Sequence, residues 1–70
     1  MTTYELKQFC KPDFPVVVNE TTETVIKDLP DEHWLITEGY FYMKDGKLHI
    51  ELEPIPQWGK EYLDREGVRY

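Results

Sequence analysis

The stretch Glu38-Gly39-Tyr40-Phe41-Tyr42-Met43-Lys44, then Asp45-Gly46, then Lys47-Leu48-His49-Ile50-Glu51-Leu52-Glu53 decides the fold. Asp-Gly between two alternating runs is a strong short-range hairpin signal, because both residues tolerate φ > 0. A two-residue loop fixes the register. Lys44 faces Lys47, Met43 faces Leu48, Tyr42 faces His49, Phe41 faces Ile50, Tyr40 faces Glu51 and Gly39 faces Leu52. That register places Phe41, Met43, Leu48, Ile50 and Leu52 on a core face. Tyr40, Tyr42, His49, Glu51 and Glu53 fall on the other. A one-residue slip would exchange the two sets, so the alternation itself pins the pairing.

Upstream, Trp34-Leu35-Ile36-Thr37 reads as the start of the same strand or as a separate one, with Gly39 permitting a bend. If the strand runs straight, Trp34 and Ile36 join Tyr40 and Tyr42 in an outer aromatic stripe, flanked by Glu38, Glu51 and Glu53. Downstream, Pro54-Ile55-Pro56 ends the hairpin. Gln57 to Glu66 reads as a short helix, with Pro56 in its first turn and Gly67 at its C-cap. Ile55, Trp58 and Tyr62 align on one helix face, with Leu63 beside them. Lys60 and Asp64, and Glu61 and Arg65, have i, i+4 pair spacing. Gly59 costs the helix about 1 kcal/mol relative to Ala.

Toward the N-terminus the signals are mixed. Thr2 and Glu5 have capping-box spacing, and Leu6, Phe9 and Cys10 recur at i, i+3, i+4, which favours a short helix. Tyr4 and Leu6 fit a strand nearly as well, and Pro12 ends either element. Phe14-Pro15-Val16-Val17-Val18 is a strand by its β-branched run. Thr21 to Leu29 leans to strand for the same reason, against a helix burying Val25, Ile26 and Leu29. Leu29-Pro30-Asp31-Glu32 reads as a turn. Asn19-Glu20-Thr21 has the form of a glycosylation acceptor and is read as chance. The expected fold is a single α+β domain over residues 1–70: a small antiparallel sheet of three to four strands centred on the 38–53 hairpin, with a short C-terminal helix. A mainly β fold is the alternative.

Composition bounds the function. The chain has 70 residues, with 8 Lys plus Arg against 14 Asp plus Glu, a net charge of −6 and 14 % aromatic residues. That aromatic load argues against disorder. A domain this small builds a marginal core, and with no disulfide it gains from dense aromatic packing, self-association or a partner. There is no apolar run long enough for a membrane span and no secretory signal pattern. The single Cys10 suits a reducing compartment, so a cytoplasmic location is expected. Six carboxylates against Lys27 give residues 20–39 a net charge of −5. Direct binding to nucleic acid or to anionic lipid is therefore disfavoured.

Chemistry-bearing patterns are sparse. His49, Glu51 and Glu53 share a strand face, but Glu51 and Glu53 lie about 7 Å apart along it, too far to share one ion. Nothing in the spacing brings Cys10 to His33 or His49, and a lone cysteine beside Leu6 and Phe9 reads as a small hydrophobe. No phosphate-binding loop, nucleophile elbow or zinc signature is present. The reading is a non-enzymatic acidic protein-binding module with no cofactor. Its partner-binding residues are Trp34, Glu38, Tyr40, Tyr42, Glu51, Glu53, Asp31 and Glu32. One concrete form is an inhibitor or modulator of the phage or mobile-element kind, occupying a basic, nucleic-acid-binding surface of a partner protein. The alternative is a small structural subunit of a larger assembly, or a homo-oligomer formed by sheet-edge pairing.

Overall fold

A computed structural model describes residues 1–70. It holds helix α1 (Thr3–Phe9), strands β1 (Pro15–Val18), β2 (Thr22–Val25), β3 (His33–Leu35), β4 (Phe41–Lys44), β5 (Lys47–Ile50) and β6 (Leu52–Pro54), and helix α2 (Gln57–Glu66). A 3-10 turn at Ile26–Asp28 follows β2. The arrangement is α+β, with a four-stranded sheet in the order β2-β1-β5-β4 and a two-stranded sheet of β3 and β6.

The hairpin register is the one its Asp-Gly turn dictates. Phe41 pairs with Ile50, Tyr42 with His49, Met43 with Leu48 and Lys44 with Lys47. Asp45 and Gly46 take φ of 55° and 75°, the two left-handed positions of a type I′ turn. The pairing stops there: Glu51 lies between β5 and β6, and Leu52 pairs with Leu35 instead of Gly39. Trp34-Leu35 therefore belongs to a separate strand.

The sheet is mixed, where an all-antiparallel one was expected. Strand β1 pairs antiparallel with β2 and parallel with β5. Strand β1 lies inside the sheet, and Val16 and Val17, on opposite faces, are both buried among their neighbours. A continuous β-branched run suits such an interior strand. With β1 on one side of β5, β4 becomes the outermost strand.

Asn19 joins the two sheets. It sits at φ 52°, which Asn tolerates better than most residues. Its backbone N–H donates to the Ile50 carbonyl at 3.0 Å. Its side-chain amide donates to the Leu52 carbonyl at 3.3 Å and accepts from the Leu52 N–H at 2.9 Å. Asn19 thus supplies the peptide-like partner that β6 lacks where the chain leaves β5.

Helix α1 forms because its capping box closes: Glu5 N–H donates to the Thr2 hydroxyl, and Thr2 N–H donates to Glu5 Oε1. Both threonines are buried and tie the helix start to distant chain. The Thr2 hydroxyl donates to the Arg69 carbonyl and the Thr3 hydroxyl to the Pro30 carbonyl, each at 2.8 Å. Leu6 then reaches a core of Val16, Ile26, Leu29, Leu48, Ile50 and Leu52.

Helix α2 spans the expected residues and ends at Gly67 in the left-handed conformation. Its buried face differs from the expected one. Ile55, Gly59 and Leu63 are buried, while Trp58 and Tyr62 stay exposed. The cause is Gly59, where a Cβ would lie 2.6 Å from Cη2 of Trp34. The glycine lets the Trp34 ring lie against the helix backbone, and Trp58 meets that ring edge-on at 5.6 Å. Its helix-propensity cost is offset by this close packing. Neither expected i, i+4 pair forms: Lys60 instead pairs with Glu32 at 2.6 Å, and Asp64 accepts from the Tyr70 hydroxyl.

Candidate protein-binding edge

Strand β4 pairs with β5 on one side and with nothing on the other. A type I′ turn hydrogen-bonds Lys44 to Lys47, and antiparallel pairs alternate in their hydrogen bonding. Tyr42 therefore directs its peptide groups at β5. Phe41 and Met43 direct theirs outward, along an open edge.

The side chains of those same two residues are also open. Phe41 is 56 % exposed and Met43 55 % exposed, and Phe9 at the end of α1 is 76 % exposed. Both β4 residues were expected in the core by alternation, and their cross-strand partners Ile50 and Leu48 are indeed buried. The difference is cover. Helix α1 sends Leu6 into the core with Leu48 and Ile50, while Phe9 at its end and the two β4 residues stay exposed around an open groove.

What remains is a shallow groove of about 470 Å³ between Phe9, Cys10, Phe14, Phe41, Met43 and Leu48. Lys11 is the charged residue on its rim. A second apolar hollow, lined by Leu35, Ile36, Gly39 and Tyr40 among others, meets the groove at Phe41. The two hollows thus share Phe41, at the start of β4.

The eight residues nominated from sequence fall into two groups. Four sit around the two-stranded sheet and are engaged within the chain. Trp34 is half-buried under α2 and donates its indole N–H to Glu53 at 2.9 Å. Asp31 pairs with Lys7 at 3.3 Å, and Glu32 pairs with Lys60. The hydrogen bond and charge of the Glu32 carboxylate hold the Lys60 ammonium above its ordinary value, against the opposing effect of burial.

Three others, Tyr40, Tyr42 and Glu51, meet on the outer face of the four-stranded sheet. Tyr42 stacks on His49 with ring centroids 4.8 Å apart and lies 5.7 Å from the Tyr40 ring. The Tyr40 hydroxyl is closed off from solvent without a well-formed hydrogen bond. Burial pushes its pKa up, and the carboxylates of Glu20 and Glu51 add to the shift. Glu51 lies against Gly39, where a Cβ would come 2.6 Å from its Oε1. Glu38, the eighth, is exposed.

His49, Glu51 and Glu53 do not converge, because the strand breaks at Glu51 and Glu53 turns to Trp34. No three His, Cys, Asp or Glu side chains gather as a metal site requires. No helix is long and apolar enough to cross a membrane. Comparison with known proteins relates the chain to no family model, no curated protein and no solved structure.

Proposed function

We propose that this domain is a non-enzymatic protein-binding module whose partner adds an extended strand to the open edge of β4. The observation that carries this reading is the coincidence of unpaired backbone and exposed apolar side chains at Phe41 and Met43. Main-chain hydrogen bonds supply affinity in strand addition, and pockets for alternate side chains supply specificity. The groove beside Phe9 and Phe14 offers such a pocket. Apolar patches of this kind on a small domain mark interaction sites.

The reading as an acidic occupant of a basic surface has less support. Asp31, Glu32 and Glu53 already have partners within the chain, which leaves Glu38 and Glu51 to carry it. The two forms separate by capture from the source cell's lysate at low and high salt. Partners held by the edge are retained at high salt and are lost with the pair Phe41→Asp and Met43→Asp. They are indifferent to Glu38→Gln with Glu51→Gln. Salt-sensitive retention that depends on the two glutamates would overturn the edge in favour of the acidic face.

A further inference from the structure

We infer that the strand completing β4 is β4 of a second copy of this chain, paired antiparallel about Tyr42. This rests on the reading of β4 as a docking edge and names its occupant. The charges along the edge are self-complementary: Glu38 precedes the strand, and Lys44 closes its other end. An antiparallel second copy brings each acidic end toward the other copy's basic end. A strongly basic partner fits this edge poorly, since its end and groove rim carry Lys44 and Lys11.

Backbone direction restricts the register. Two edges pair only where outward-facing residues meet, and on β4 those are Phe41 and Met43. Three registers satisfy this: Phe41 on Phe41, Phe41 on Met43, or Met43 on Met43. The last brings the two lysine-bearing tips side by side, so like charges oppose it. The first pairs Met43 with Gly39, which lies outside the strand. The middle register seats Phe41 on Met43 twice, Tyr42 on Tyr42, and Lys44 on Tyr40. All four apolar side chains then lie on one face, continuous with the grooves of both copies. The product is a single eight-stranded sheet.

Tyr42 on Tyr42 is a non-hydrogen-bonded pair in this arrangement, with Cα atoms about 4.5 Å apart, a spacing a disulfide accepts. The test uses the full chain with Cys10→Ser, carrying Tyr42→Cys or, as control, Lys44→Cys, beside sedimentation of the unmodified protein. The expected result is a concentration-dependent dimer and rapid disulfide dimerisation through position 42, at least tenfold faster than through 44. Phe41→Asp with Met43→Asp should return the protein to monomer with its circular dichroism intact. A dimer that survives those two substitutions, or one that crosslinks faster at 44, overturns the pairing. A monomer at all concentrations also overturns self-pairing. In that case, lysate partners that are lost with the double aspartate variant would leave the docking edge standing. Partners indifferent to it would remove both.

Discussion

The two edges of the four-stranded sheet are built on opposite principles. Strand β2 ends the sheet with Thr22-Glu23-Thr24-Val25. Its Glu23 forms an ion pair with Lys47, reaching across β1 to β5. Polar side chains and charge are common devices for keeping an edge from pairing. Strand β4 ends it with Phe41-Tyr42-Met43-Lys44, all exposed. Both edges leave a row of unpaired backbone groups, but β2 presents mostly Thr and Glu, whereas β4 presents Phe41, Tyr42 and Met43 before Lys44. Exposed apolar side chains on an open edge are what support reading β4, and not β2, as the proposed docking edge.

The sharpest way to break that contrast is to exchange the chemistry of the edges. Phe41→Asp with Met43→Asp should weaken association about 100-fold or more, as two interface anchors are lost. Thr22→Asp with Thr24→Asp should leave it unchanged. Sedimentation of both variants checks this.

A second contrast lies along one cross-strand row, where Leu48 is buried and Met43 is not. Leu48→Ala should cost about 2–5 kcal/mol by chemical denaturation. Met43→Ala in the dilute monomer should stay within about 0.5 kcal/mol. Equal costs would mean that β4 is covered within the chain.

Alternation alone could not separate those two residues, and the reason is physical. The sequence carries the period-2 pattern that sorts residues between faces. It does not carry the lateral position of a strand in the sheet or how far the rest of the chain covers each strand. The Asp45-Gly46 turn, its register, the capping box of Thr2 and Glu5 and the Gly67 cap were all legible, because each is a local interaction. The parallel pairing of β1 with β5 is long-range, and its one local trace is the unbroken Val16-Val17-Val18 run. The exposed edge depends on that pairing. Trp34 and Gly59 were each legible as a residue type, but their close contact was not, since it joins elements far apart in the chain.

Asn19 marks where the sheet bearing the open edge hands over to the smaller one. Asn19→Ala should cost about 1–3 kcal/mol, because it strands both peptide groups of Leu52. Asn19→Asp keeps the acceptor and should cost less. Thermal denaturation of both variants orders them.

The smallest effect belongs to the protected edge. The hydrogen bond and charge of Lys47 hold the Glu23 carboxyl below its ordinary value. A lowered folded-state pKa contributes stability above the ordinary carboxylate range and loses it as pH falls through the folded value. Lys47→Met should therefore return the Glu23 titration, read by NMR, to the usual range. Its small stability deficit should vanish in acid. Salt should shrink the effect as well, because the pair is exposed.

The most direct test of the difference between the edges is amide hydrogen exchange across a concentration series. The account predicts that the amides of Phe41 and Met43 gain protection as concentration rises, while those of Thr22–Val25 do not change. Protection that appears at β2, or edges that respond alike at every concentration, would contradict it.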